Sequence, residues 1–234
     1  MLAAVLALLA PAARAQASAG LSAATPAQTL DRVVAAVGNT AITASDVEAE
    51  YRLELFLDGK ALAAPPDAGV LNQVRQRMID RILLEEEVRA DGIKLSPDDP
   101  AVAARLSELR KKYPGDEAFA AALKSLGMNE ESLKSVLAQE EAILRLIDQR
   151  LRPQAVVEPA EIEAYYRDTL VPRLQKGNQS TPPLTDMESR IREILVQQKI
   201  DSLLDEWLKR LRNRGDVRIF GNAEAGGNPQ PAGC

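Results

Sequence analysis

Apolar and polar residues follow two different periods along this chain, and the change of period separates a short β-type stretch from a long helical one. Residues 33–37 and 41–43 are short runs rich in β-branched residues, and Gly38-Asn39 lies between them. Gly and Asn tolerate the positive φ that tight hairpin turns need, so this stretch predicts a β-hairpin. An isolated hairpin is marginally stable in water, and we therefore expect it to pack on another part of the chain.

After the hairpin, apolar residues recur at intervals of three and four, as in amphipathic α-helices. Ser45 and Glu48 fit a capping box at the start of the first helix, and Thr43 is a second candidate cap. Ser96 with Pro97 indicates the start of a later helix. Gly and Pro residues punctuate the pattern, which predicts helices ending near residue 58 and spanning 67–91, 97–112, 116–126, 129–151, 160–174 and 185–213.

The last predicted helix has an apolar stripe that changes phase. Ile191, Ile194 and Leu195 begin the stripe, and Val196, Ile200, Leu203, Trp207 and Leu211 continue it on a shifted face. A strand-like run, Val217–Phe220, follows, and it is the one remaining partner for the hairpin. We predict a mainly α fold: a multi-helix core with a small β-hairpin near the N-terminus that pairs with a C-terminal strand.

The composition argues against several kinds of site. The chain has no His, and its single Cys is the last residue, Cys234. Ser-His-Asp and Cys-His catalysis therefore lack their base, structural zinc lacks its usual ligands, and no disulfide can form within the chain. The sequence also contains no Gly-rich phosphate loop and no metal-ligand spacing. We predict no catalytic residue, no metal site and no cofactor, and that the protein is not an enzyme.

The first residues fit a secretory signal. An apolar run over residues 2–10 is followed by Pro11 and by Ala13-Arg14-Ala15, an A-x-A cleavage pattern, with Ala15-Gln16-Ala17 as an alternative. The run is shorter than the roughly 20 residues that a membrane-spanning helix needs. We predict a cleaved signal peptide over residues 1–15; the alternative is an Ala-rich disordered N-terminus. Residues 16–30 are then a flexible segment and residues 221–234 a disordered tail, judged by composition.

The charge balance argues against nucleic acid as a partner. The chain carries a net charge of −5, and loss of Arg14 with the signal makes it −6. Binding to phosphates needs clustered positive charge on one face, which an acidic chain of this kind does not favour.

Four segments resemble, in order, those of the SurA-type periplasmic chaperones, relatives of the parvulin-type peptidyl-prolyl isomerases. The first is VVAAVGNTAITASDVEAE, the opening of that family's chaperone core. The others are QRMIDRILLEEEVRADGIKLS, then EPAEIEAYY, and finally SRIREILVQQKIDSLLDEWLKRLRNRGDVRIF. The resemblance covers about residues 31–220, and each segment is weakly informative without the others. It implies a SurA-like chaperone domain over this range.

The chain departs from that family where the isomerase domain belongs. Family members carry one or two parvulin domains of roughly 90–100 residues, a common domain size, between the equivalents of Tyr166 and Met187. In this chain only DTLVPRLQKGNQSTPPLTD lies in that interval, between about residues 167 and 186. The isomerase histidines of the family also have no counterpart in a chain without His. The resemblance therefore implies the chaperone core without prolyl isomerase activity.

On this resemblance we expect an ATP-independent periplasmic holdase that binds unfolded polypeptides, with outer-membrane proteins as the client class. Tyr51, Leu55, Phe56 and Tyr166 are the predicted lining of an apolar client-binding groove. The alternative is a dedicated assembly or interaction factor for one partner protein. A homodimer formed by helix exchange through the loop at residues 175–184 is one form of that alternative.

Overall fold

The structure is a computed structural model that describes residues 31–61 and 66–221. The predicted signal peptide (residues 1–15), the predicted flexible segment (16–30) and all but the first residue of the predicted tail (221–234) lie outside the described residues. Within the described part, the strands and α-helices are Val33–Val37 (β1), Thr40–Thr43 (β2), Ala44–Leu57 (α1), Ala68–Ala90 (α2), Pro100–Arg110 (α3), Asp116–Ser125 (α4), Glu130–Leu151 (α5), Pro159–Tyr165 (α6), Val171–Lys176 (α7), Leu184–Arg214 (α8) and Val217–Ile219 (β3).

The small sheet joins both ends of the described chain, as predicted. Its strand order is β2-β1-β3, and both neighbouring pairs are antiparallel. Gly38 takes a positive φ of 54° in the two-residue turn between β1 and β2, which is the conformation that glycine adopts without strain. β3 pairs with β1 in a register that sets Ala36 opposite Arg218. The mainly α fold with an N-terminal hairpin and a C-terminal strand is therefore confirmed.

The first helix begins two residues earlier than the Ser45–Glu48 capping box requires. The capping box is formed by Thr43 and Asp46: the Thr43 hydroxyl accepts from the Asp46 N–H at 3.2 Å, and the Asp46 carboxylate accepts from the Thr43 N–H at 2.9 Å. β2 runs directly into α1, so Thr43 is the last residue with extended backbone and therefore takes the cap position. The Ser45 hydroxyl instead donates to Asp31.

The predicted cap at Ser96 is also wrong. The helix α3 begins at Pro100, and the Asp99 carboxylate caps it by accepting from the Ala101 N–H at 2.9 Å. A residue that precedes proline is disfavoured in helical conformation, so Asp99 cannot continue a helix into Pro100 and marks its start. Ser96 lies in the turn before the helix, where its carbonyl accepts from the Asp99 N–H.

The helix predicted over residues 160–174 is interrupted by a π-helical turn, Tyr166–Leu170, between α6 and α7. Pro172 lies just beyond this turn. Proline has no N–H, and its ring clashes with the carbonyl four residues earlier, so the regular hydrogen-bond ladder cannot pass through it. The Val171 N–H instead bonds to the Tyr166 carbonyl five residues back, which widens the helix locally.

Three apolar clusters hold the described residues together. The first cluster contains the sheet, α2 and the C-terminal halves of α5 and α8. The second cluster joins the end of α1 to α3, α4 and the N-terminal half of α5. The third cluster is small and joins α6 and the π-helical turn to the N-terminal half of α8. Among the described residues, no helix has the length and apolar character needed to cross a membrane.

Candidate functional site

The helix α8 links the first and third clusters by changing the face that it buries. Ile191 belongs to the third cluster and Ile200 to the first. They are nine residues apart, and at about 100° per residue this separation places them half a turn apart around the helix. Val196 lies between them and packs against both clusters. The phase shift visible in the sequence therefore corresponds to a change of packing partner along one continuous helix.

A surface groove lies where α8 extends past the end of α5. It consists of two hollows of about 400 and 480 Å³, and Arg152 lines both of them. The first hollow lies between the C-terminal half of α5 and the middle of α8, and the second follows the N-terminal half of α8. We name these hollows together the α5–α8 groove. α5 ends at Leu151, and the chain then turns through Arg152–Gln154, so α5 provides no partner for the next part of α8.

The floor of the α5–α8 groove is apolar and partly open to solvent. It is formed by Leu144, Ile147, Val196 and Ile200. Ile200 is buried, whereas the Leu144 side chain is 47 % exposed, one of the most exposed large apolar residues in the described structure. Binding is favourable when a ligand removes such an apolar side chain from water, because the free energy of the system falls. The groove can therefore bind apolar groups.

The rim of the groove carries both signs of charge. Its charged residues are Glu141, Arg145, Asp148, Arg152, Glu188, Arg192 and Glu193. Several are paired with each other: Arg152 with Asp148, and Arg192 with Glu188 at 3.0 Å. Exposed pairs of this kind contribute little stability and exchange partners readily, so they impose little charge selection on a ligand. The arrangement suits a ligand of mixed composition better than a small anion or cation.

The structure does not bring the four predicted client-binding residues together. Tyr51 is half-buried against the first cluster, and Leu55 lies one turn further along the same helix, also half-buried. Phe56 is only 2 % exposed and is a core residue of the second cluster. Tyr166 packs on the third cluster, and its hydroxyl donates to the Pro182 carbonyl at 2.7 Å. The four side chains thus lie in or beside three separate clusters.

Sequence reasoning missed the α5–α8 groove, although one signal pointed to it. Ile143-Leu144 and Leu146-Ile147 are apolar doublets that widen the apolar face of α5 beyond one stripe. Ile143 and Leu146 are buried, and the second member of each doublet lines the groove. A helix with such a wide apolar arc either has two packing partners or leaves part of the arc accessible. On α5, part of the apolar arc stays accessible at Leu144.

The described residues contain no group of three or more His, Cys, Asp or Glu side chains that could hold a metal ion. The titratable residues that line the groove are arginines and acids, four of which form two surface ion pairs.

Comparisons with known proteins connect this fold to one family. The model of the SurA-like N-terminal domain matches residues 2–147, which include the hairpin, the helices α1 to α4 and most of α5. A relative, Chaperone SurA of Chromobacterium violaceum, is 26 % identical over 182 residues. That match covers 77 % of this chain but 41 % of the relative, so the chain spans about two fifths of the relative's length.

Proposed function

The chain belongs to the SurA-like N-terminal domain family, and from this premise we propose that it is an ATP-independent chaperone of the holdase type. In this proposal the protein binds unfolded polypeptides, shields their apolar segments from one another and releases them without chemical change. The observation that carries the proposal is the α5–α8 groove, with its open apolar floor and its rim of mixed charge.

The physical basis of the binding is the burial of apolar side chains of the client on Leu144, Ile147 and Val196. Each Å² of apolar surface removed from water contributes about 25 cal/mol, so a few client side chains give useful but reversible affinity. The rim offers arginines and carboxylates to the polar groups of the same segment. A holdase needs this combination, because it must accept many sequences and release all of them.

Of the residues predicted from sequence, Tyr51 and Leu55 stay in the proposal as additional client contacts. Both are half-buried on the same face of α1, so each retains some accessible apolar surface. We assign Phe56 and Tyr166 to packing instead, because Phe56 is enclosed in the second cluster and the Tyr166 hydroxyl is bonded to a backbone carbonyl.

The proposal does not include prolyl isomerase activity. Residues 167–186 form most of the π-helical turn, α7, a loop and the first residues of α8. About 20 residues cannot build an independent domain, since domains rarely contain fewer than about 50. We propose that this segment only connects α6 to α8.

We further propose that the protein acts in the periplasm and that its clients include outer-membrane proteins. The support is the signal-like pattern of residues 1–15 together with the similarity to a protein named Chaperone SurA. The proposed cycle of binding and release uses only apolar burial and reversible ion pairs, so it needs no ATP.

The test is suppression of aggregation. An outer-membrane β-barrel protein is diluted from urea into buffer with an equimolar amount of this protein, and light scattering is followed over time. We expect slower aggregation with the wild-type protein, and a clear loss of protection with Leu144→Lys, which places a charge in the groove floor. Wild-type protein that leaves the aggregation rate unchanged would refute the proposal.

Ile194→Lys is the matched control. Ile194 is also a large, partly exposed apolar residue, but it lies on α8 outside the two hollows. If both variants lose protection equally, general surface charge rather than the groove determines the activity. Circular dichroism on both variants establishes that each retains the helical fold.

A further inference from the structure

The sheet has one edge with large exposed apolar side chains. β3 is an edge strand of the three-stranded sheet, since among the described residues β1 is its only strand partner. Ile219 is 48 % exposed, and Phe220, directly after the strand, is 43 % exposed. Val33, at the start of the neighbouring β1, is 41 % exposed. Three of the most exposed large apolar residues of the described chain therefore lie at one corner of the sheet.

The hydrogen-bond register shows which backbone groups are available on this edge. The Gly38 N–H donates to the Asp216 carbonyl at 3.0 Å, and the Phe220 N–H donates to the Val34 carbonyl at 3.1 Å. Residues 216, 218 and 220 thus bond inward to β1, and by the alternation of a strand Ile219 presents its N–H and carbonyl outward. The carbonyl of Val217 and the N–H of Gly221 point the same way, whereas the Val217 N–H is bonded to the Gly215 carbonyl.

The side chains beside this edge are apolar on both faces of the sheet. Ile219 lies opposite Ala35, on the face that packs on the first cluster, and Phe220 projects to the other face because successive strand residues alternate. The opposite edge of the sheet differs. There β2 exposes Thr40 and Ala41, which are small, and its one large residue, Ile42, is buried. Proteins commonly protect edge strands with charged residues or proline. β3 has one charged residue, Arg218, but it ends at Ile219 and is followed directly by Phe220.

We propose that the free edge of β3 is a second polypeptide-binding site, which takes an extended apolar segment of an unfolded polypeptide as a fourth strand. The repeating N–H and carbonyl groups of an extended chain match the outward groups of Val217, Ile219 and Gly221. Its side chains bury Ile219 on one face and Phe220 on the other. The proposal rests on the proposed holdase function for the source of the segment, but the site is separate from the α5–α8 groove.

A second copy of this chain is a less suitable occupant. Two β3 strands paired about Ile219 would set Arg218 of one copy opposite Phe220 of the other, so the pairing gains no ion pair across the two strands. Arg218 is already paired with Asp216, the residue that precedes β3. Each copy also carries a net charge of −5, which opposes association. An unfolded apolar segment meets neither obstacle.

The experiment uses the full chain and a fluorescent peptide of eight alternating valine and tyrosine residues with two lysines at each end. Binding is followed by fluorescence anisotropy, and backbone hydrogen exchange is followed residue by residue by NMR. We expect the peptide to slow exchange of the Ile219 and Gly221 amides, because both N–H groups then donate to the peptide. Binding in the α5–α8 groove alone would leave these two amides unchanged.

Ile219→Pro tests the edge without breaking the β1–β3 pairing, because the N–H that it removes points outward. In the Leu144→Lys background, in which the α5–α8 groove is disabled, we expect Ile219→Pro to weaken peptide binding at least about tenfold, since a donor is lost and a neighbouring carbonyl is obstructed. Ile219→Val is the matched control: it keeps the N–H and a β-branched side chain, and it should bind like the wild type.

Unchanged affinity on adding Ile219→Pro to the Leu144→Lys protein, or unchanged exchange at Ile219 and Gly221 of the wild type, would overturn the proposal. Light scattering that shows a dimer of the wild type but a monomer of Ile219→Pro would also overturn it, in favour of a second copy as the occupant. The two proposals fail separately: a wild-type protein that binds the peptide at β3 but does not slow aggregation refutes the holdase function and leaves the edge site intact.

Discussion

The second and third clusters are stabilised in different ways, although each packs short helices against one long helix, α5 in the second cluster and α8 in the third. The second cluster contains nine buried residues, whereas the third contains three: Val157, Ile162 and Ile191. Because apolar burial is the main stabilising contribution in a folded protein, the third cluster has much less of it. We expect this difference to determine which part of the molecule opens first.

The second cluster is organised by aromatic rings. The rings of Phe56, Tyr113 and Phe119 lie with their centroids 5.3 to 5.5 Å apart, and the guanidinium of Arg110 lies 4.7 Å from the Phe119 ring. The Tyr113 hydroxyl donates to the Phe56 carbonyl at 2.6 Å, so the end of α1 is fixed to the segment after α3. Ring pairs at these distances add stability beyond their buried area.

The third cluster depends on polar side chains that bind backbone carbonyls. Arg192 donates to the Val157 carbonyl at 3.2 Å, and Lys199 donates to the Val156 carbonyl at 2.5 Å. The Tyr166 hydroxyl donates to the carbonyl of Pro182. Most of these groups are partly exposed, and hydrogen bonds in contact with water contribute modestly.

The contrast indicates that α6, α7 and the first half of α8 open at a lower free energy than the helices of the second cluster. This region borders the α5–α8 groove, because residues 185–196 of α8 line the second hollow and also pack on the third cluster. A groove with one rigid and one adaptable wall suits the variable clients of the proposed holdase.

The largest effect is expected from Phe56→Ala. Removing a ring that is 2 % exposed leaves a cavity between Tyr113 and Phe119, and such substitutions cost about 3–5 kcal/mol. Urea unfolding followed by circular dichroism measures the loss. Leu55→Ala is the control, because Leu55 is adjacent but half-buried and should cost clearly less. Equal losses for the two variants would remove the distinction between core and surface on α1.

A smaller and more local effect is expected from Ile191→Ala. Ile191 is buried in the third cluster, and the substitution costs about 2–3 kcal/mol of local packing. Because that cluster is small, we expect hydrogen exchange to accelerate in α6 while α3 and α4 keep their protection. Ile194→Ala, on the exposed side of the same helix, should change neither. Uniform acceleration throughout the protein would show that the third cluster unfolds together with the second.

The sequence predicted the architecture well where local chemistry determines it. Gly38-Asn39 indicated the hairpin, and Val217–Phe220 indicated its third strand, because turn geometry and β-propensity act at short range. The phase shift near Val196 was visible in the sequence, and the structure shows that α8 changes its packing partners there. The caps at Ser45 and Ser96 were placed wrongly, since the neighbouring strand end and Pro100 decide where each helix begins.

The candidate site was harder to predict from sequence, because exposure depends on which helices meet. Phe56 and Leu144 are both apolar residues on amphipathic helices, and nothing local distinguishes them. The arrangement of α3 and α4 encloses Phe56, whereas Leu144 lies on a part of the wide apolar face of α5 that stays accessible. Ile219 and Phe220 were recognised as part of a strand, but that this strand takes an edge position in the described part of the sheet follows only from the strand order.

Tyr166→Phe sharpens the comparison at the level of one hydrogen bond. The variant keeps the ring in the third cluster but loses the bond to the Pro182 carbonyl, which costs about 1 kcal/mol. We expect faster hydrogen exchange in the π-helical turn and in the first turn of α8. Tyr165→Phe is the control on the adjacent residue. If the two variants behave alike, the bond to Pro182 does not hold the loop in place.

The smallest expected effect is a dependence on pH that is confined to the third cluster. The Lys199 ammonium, which donates to the Glu161 carboxylate at 2.8 Å, is the main group that lowers the pKa of Glu161 in the folded protein, and the Glu158 N–H adds to the shift. A carboxyl whose pKa is lower in the folded than in the unfolded protein stabilises the folded state at a pH above the unfolded pKa, about 4.3. This stabilisation is lost as the pH falls through the folded pKa. Between pH 7 and pH 3 we therefore expect α6 to lose protection from hydrogen exchange, after correction for the intrinsic rate, more than α3 does.

Glu161→Gln should show the weaker protection already at pH 7 and little further change in acid, whereas Glu163→Gln, on the exposed side of α6, should behave like the wild type. Equal pH dependence in α3 and α6 would mean that the polar bonds to α8 do not set the lower stability of this region.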